Sequence, residues 1–72
     1  MTNQVTKFML YMFNRWSMEE AKNVFGDGMG EHLFNKWVAS GCNELMFYAQ
    51  LDAANRRKLV ARACDCYPNV ND

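Results

Sequence analysis

The chain has 72 residues, with eight basic and eight acidic side chains, one histidine, three cysteines and an apolar fraction of one half. Balanced charge excludes the simplest electrostatic case for nucleic-acid or anionic-membrane adhesion by the whole domain. So short a chain has room for one small core and little volume for an enclosed active site. One proline and four glycines in such an apolar chain do not fit a disordered composition.

The longest apolar run near the start, Phe8 to Phe13, is too short to span a bilayer. Thr2-Asn3-Gln4 lacks the basic region that opens a secretory signal. The expectation is a cytoplasmic protein without membrane contact, its odd number of cysteines packed as reduced thiols.

Apolar spacing is helical almost throughout, which predicts an all-α fold: a compact, irregular or orthogonal bundle of about five short helices forming one domain. In the first helix Val5, Phe8, Met9, Met12, Phe13 and Trp16 form one stripe roughly 140° wide at about 100° per residue. Leu10 and Tyr11 fall outside it, so either a later helix covers them or they meet another molecule.

Ser17-Met18-Glu19-Glu20 has the form of a capping box, with the Ser17 hydroxyl on the Glu20 amide and the Glu20 carboxylate reaching back to the Ser17 amide. A second helix follows with Met18, Ala21, Val24 and Phe25 inward, ended by Gly26 in a positive-φ conformation. Asp27 is then expected to cap a third helix, loosened at Gly28 and Gly30, with Leu33, Phe34, Trp37 and Val38 inward and Gly41 as its stop. As a core anchor of that helix, Trp37 is expected to cost about 3 to 5 kcal/mol on replacement by alanine.

From Asn43 the run Leu45, Met46, Phe47, Tyr48, Ala49 and Leu51 is apolar all round a helical wheel. It reads as a short helix at the centre of the bundle or in an interface. Asp52 caps a last helix with Ala53, Leu59, Val60, Ala63, Cys64 and Tyr67 inward, Pro68 ends it, and residues 68–72 form a frayed tail. Phe13-Asn14-Arg15-Trp16 and Phe34-Asn35-Lys36-Trp37 echo one another, but their flanks do not match and ordinary core anchoring accounts for both.

Candidates for chemistry are few. Gly26-Asp27-Gly28-Met29-Gly30 lacks the preceding strand and the accessory lysine or acid of a phosphate loop, and the oxygen ligands of a calcium loop, so it reads as a turn between helices. His32, Cys42, Cys64 and Cys66 match a zinc site in number only, since two cysteines two apart on a helix point about 160° from each other. Neither a metal nor another cofactor is expected, and with one histidine lacking an evident partner no catalytic residue is assigned.

Asn55, Lys58 and Arg62 share one side of the last helix, beside Arg56 and Arg57. Either they form a solvated face, in which Asp52 and Arg56 pair and Asp65 offsets the charge, or they are the phosphate- or base-contacting side of a helix-turn-helix element. Aromatic and methionine content favours a different surface, with Leu10, Tyr11, Met46 and Phe47 as interface anchors. The sequence therefore points to a non-enzymatic protein-interaction or regulatory module. Its partner is an unidentified protein or a second copy, and helix-turn-helix nucleic-acid binding is the alternative.

Overall fold

The computed structural model describes residues 4–70 and contains five helices: α1 (Gln4–Asn14), α2 (Met18–Phe25), α3 (Asp27–Ala39), α4 (Glu44–Gln50) and α5 (Ala53–Cys66). No strand occurs among the described residues, so the expected all-α bundle is the fold. The helices associate as two main pairs, α1 with α5 and α2 with α3, while α4 and the α2–α5 crossing make lesser contacts. Phe8, Tyr11, Met12, Trp16, Ala21, Leu33, Phe47, Leu51, Leu59 and Ala63 form one buried cluster drawn from all five helices and their ends.

Helix boundaries follow local capping chemistry. Ser17 Oγ accepts from the Glu20 amide at 3.1 Å, Asn43 Oδ1 from the Met46 amide at 2.8 Å and Asp52 Oδ1 from the Asn55 amide at 2.8 Å. Each satisfies a donor that the first turn of a helix leaves open. The capping box is half made, because the Glu20 carboxylate turns instead to Tyr11 and Arg62. Asp27 is the first residue of α3 and not its cap; Gly26, at φ 89°, serves as the last cap of α2 and the first of α3, with no side-chain hydrogen bond. After Ser40 both Gly41 (φ 79°) and Cys42 (φ 59°) take left-handed backbone conformations. Their amides reach the Val38 and Trp37 carbonyls at 3.0 and 3.1 Å, which closes the α3 C-terminus.

Packing departs from the helical wheel on four helices, and on α3 Val38, expected inward, is 48% exposed. On α1 the buried face is Lys7, Phe8, Tyr11 and Met12, rotated by a little under one residue's step of about 100° from the apolar stripe. Val5 and Phe13 are consequently 37% and 65% exposed. The two Phe-Asn-basic-Trp segments are thus not equivalent, since Phe34 packs on the core and Phe13 does not.

Gly30, expected to loosen α3, is instead a point of closest approach. A Cβ there would lie 2.5 Å from the Ala21 carbonyl oxygen and from the Lys22 backbone nitrogen and Cα, so only glycine lets α3 lie directly on the α2 backbone.

The short α4 is not the centre of the bundle. Only Phe47 is buried on it, and Leu45 and Met46 are 57% and 48% exposed, because a helix of seven residues held mainly through Phe47 and Leu51 has one face inward. In α5 Leu59, Val60 and Ala63 are buried as expected, whereas Ala53 is exposed and Cys64 half-buried. Tyr67 follows as the C-cap of α5 and accepts from the Val70 amide at 3.3 Å. The expected fraying at 71–72 lies outside the described residues.

Candidate interaction surface

The four residues read as interface anchors have separate fates. Tyr11 and Phe47 are 0% exposed and can anchor no partner in this fold. The later helix α5 packs over Tyr11's side of α1, and Phe47 enters the core beside Trp16 at 5.7 Å between ring centroids. Leu10 is half-buried, and its carbonyl accepts from Asn14 Nδ2 at 3.0 Å and from the Tyr67 hydroxyl at 3.3 Å. Met46 stands in the open.

The alternative set on α5 is also dispersed. Arg62 Nε donates to Glu20 Oε2 at 2.8 Å. The Lys58 ammonium lies 5.9 Å from the centroid of the Phe25 ring. Asn55 is half-buried and lines a hollow of about 220 Å³ with Met29, His32, Lys36 and Asp52. Arg62, committed to a carboxylate, is not a free phosphate contact, and the expected Asp52–Arg56 pair is replaced by other bonds at both residues.

Those bonds define a different surface. Arg56 Nη2 donates to the Leu51 carbonyl at 3.1 Å and sits 3.4 Å from that of Ala49, at the C-terminal end of α4 where carbonyls lack helical partners. Its guanidinium lies over the Tyr48 ring, 4.9 Å from the centroid, a cation–π placement that fixes the side chain further. Its Nε–H is buried without an acceptor.

Beside this restrained cation runs an open groove of about 520 Å³, lined by Tyr48 of α4 and by Ala53, Arg57, Val60, Ala61 and Cys64 of α5 as well as by Arg56. Ala53, Arg57, Val60 and Cys64 are spaced by four, three and four residues, so they form one stripe roughly 16 Å long at about 1.5 Å per residue. The groove is therefore lined mainly by apolar side chains, with two arginines, Arg56 and Arg57, among them. The only ion pair among the described residues is Arg62 with Glu20, so neither Arg56 nor Arg57 is neutralised by a carboxylate. Heptad-like spacing on α5 was the available sequence signal, but Val60 and Cys64 were absorbed by the core reading of the same helix.

The second polar constellation is internal. Tyr11 Oη donates to Glu20 Oε2 at 2.8 Å, the oxygen that Arg62 also holds. Burial, reinforced by the hydrogen bond to a carboxylate and its charge, pushes the Tyr11 phenol well above the usual tyrosine range. Burial also pushes the Glu20 carboxyl upward, but the hydrogen bonds from Arg62 and Tyr11 and the charges of Arg62 and Arg15 outweigh it, leaving Glu20 below the ordinary glutamate value. Its hydrogen bond with Glu20 and then the carboxylate's charge hold Arg62 protonated above its ordinary value. A neutral phenol, an ionised carboxylate and a guanidinium sharing one oxygen cross-link three helices.

His32 is exposed on the wall of the smaller hollow. Cys42 is exposed, Cys64 and Cys66 are half-buried, and all three are free thiols. Among the described residues no group of three or more histidine, cysteine, aspartate or glutamate side chains is placed to hold a metal ion, and no helix is long and apolar enough to cross a membrane. No known protein family model, curated protein or solved structure matches the chain.

Proposed function

We propose that the protein is a small non-enzymatic interaction module that works by docking another protein helix in the α4–α5 groove. One observation carries this reading: an open apolar channel of about 520 Å³ flanked by Arg56 and Arg57. The apolar lining supplies the desolvated centre that protein interfaces use, and arginine is among the side chains they favour. Its dimensions suit the helix-in-groove mode, in which an amphipathic helix inserts residues one turn apart. Three free thiols suit work in a reducing compartment such as the cytoplasm.

Capture from an extract of the native host tests it, with Arg57→Glu/Ala61→Glu as the paired bait. Both positions are exposed, so the variant keeps the fold and loses only the groove. The reading stands if proteins held by the wild type are released by the variant, and fails if both baits retain the same set. A labelled random DNA duplex, retained at about 50 mM salt where phosphate contacts are strong and released by Lys58→Glu, would favour the nucleic-acid alternative.

A further inference from the structure

The chain carries a knob that matches its own groove, and we propose that the occupant is a second copy of this protein. The two copies dock about a two-fold axis so that Leu45 of each enters the α4–α5 groove of the other, with Glu44 meeting Arg57. This rests on the groove being a docking surface, and it names the partner.

Glu44 and Leu45 precede Tyr48 by four and three residues on α4, so both lie one turn from the ring that lines the groove and on the same side of the helix. Leu45 is 57% exposed, so one turn before the Tyr48 ring it forms an apolar projection beside the channel that this ring lines. A projection and a recess side by side on one surface are what a two-fold contact needs, since a single patch then serves both copies.

Charge points the same way. Arg57 in the groove and Glu44 on the projection both lack an ion-pair partner among the described residues, and each would gain one across the two-fold. The chain's formal net charge of zero sets no overall repulsion against a second copy. Arg56, held by the α4 carbonyls and the Tyr48 ring, presents a cation that loses little freedom when covered.

Sedimentation equilibrium of the full chain from about 1 µM to about 500 µM tests this, a range that spans dissociation constants of ordinary weak dimers. Circular dichroism of each variant checks that it is folded, as the exposure of Leu45 and Arg57 leads one to expect. The wild type should pass from monomer to dimer. Leu45→Glu and Arg57→Glu should each weaken the dimer by at least about tenfold, and Glu44→Arg/Arg57→Glu, which exchanges the charges, should return to within about threefold of wild type. Maleimide labelling of Cys64, mapped by mass spectrometry, should slow at the dimeric concentration.

A wild type that stays monomeric at the highest concentration, a dimer indifferent to Leu45→Glu, or an exchanged pair as weak as Arg57→Glu alone would overturn the proposal. A monomeric wild type whose groove still captures another protein in an Arg57-dependent way removes self-association and leaves the docking module. Loss of both removes both.

Discussion

Arg62 on α5 and Glu20 on α2, 42 residues apart in sequence, meet at 2.8 Å through Nε and Oε2, and the same oxygen takes the Tyr11 hydroxyl of α1 at 2.8 Å. Three helices are joined at one carboxylate oxygen whose side chain is only 13% exposed. Because the phenol is buried, its hydrogen bond has no water to fall back on. Tyr11→Phe should destabilise the fold by about 1 to 2 kcal/mol, and Glu20→Gln, which removes the charge that Arg62 faces, by about 1 to 3 kcal/mol. Urea midpoints of both variants and of the double variant measure this. The combined loss should fall short of the sum, because the two changes break a shared bond.

The same three groups set the pH limits of stability. Glu20 is held below its ordinary value of 4.5 in the folded chain. Its contribution is therefore complete above that value and is lost as pH falls through the lower folded one. Tyr11 is held above its ordinary value of 10.0. The unfolded chain ionises that phenol first, so stability from this group is complete below pH 10 and falls as pH rises beyond it. Thermal or urea unfolding from pH 2 to pH 11 should show both losses. Glu20→Gln should flatten the acid limb and Tyr11→Phe the alkaline one; limbs unchanged by these substitutions would place the titrating groups elsewhere.

Two glycines two residues apart, and so on nearly opposite faces of α3, should respond with opposite sign to one substitution. A Cβ at position 28 would have nothing within 4 Å, while at Gly30 the methyl would meet the α2 backbone at 2.5 Å. Alanine at position 28 removes unfolded-state freedom and should stabilise by about 0.5 to 1 kcal/mol. Alanine at position 30 gains the same propensity but must push two helices apart, at about 1 to 3 kcal/mol, so the net effect is a loss. Equal effects at the two positions, read from melting curves, would mean that α2 and α3 do not pack through Gly30.

These glycines also show what was legible in the sequence and what was not. The starts of α2 and α5 were readable because a cap is local: Ser17 and Asp52 each bond an amide three residues ahead, as Asn43 does for α4, whereas Asp27, expected as a cap, is the first residue of α3. Gly26 and Gly41 were readable as stops for the same reason. The value of Gly30 was not, because a close approach involves Ala21 and Lys22 on another helix, and spacing within one helix carries no record of its neighbour.

Tyr11 was misread by the same mechanism. Its wheel position lies off the apolar stripe, and only the partnership with Glu20 and the cover of α5 make an interior place for a phenol. On the surface, the basic character of α5 was visible, but which cations remain unneutralised was not. Arg62 is taken by Glu20, whereas Arg56 and Arg57 border the groove, and that division depends on which helix each side faces.

The two tryptophans should rank in an order that the sequence does not suggest. Trp37 was the expected anchor, but it is half-buried and its ring packs on Phe34 at 5.4 Å. Trp16, 9% exposed, lies between Tyr11, Phe34 and Phe47 at 6.2, 6.0 and 5.7 Å, just past the end of α1, and so joins three parts of the core. Trp16→Ala should cost about 3 to 5 kcal/mol, enough to leave a domain of this size largely unfolded, and Trp37→Ala about 1 to 3 kcal/mol. Neither indole nitrogen has a hydrogen-bond partner although both are buried, so replacement by phenylalanine sacrifices volume and no bond. Trp16→Phe should therefore keep a cooperative melt where Trp16→Ala does not. If Trp37→Ala proves the more damaging of the two alanine variants, the centre of the core lies on α3 and not at the α1–α2 junction.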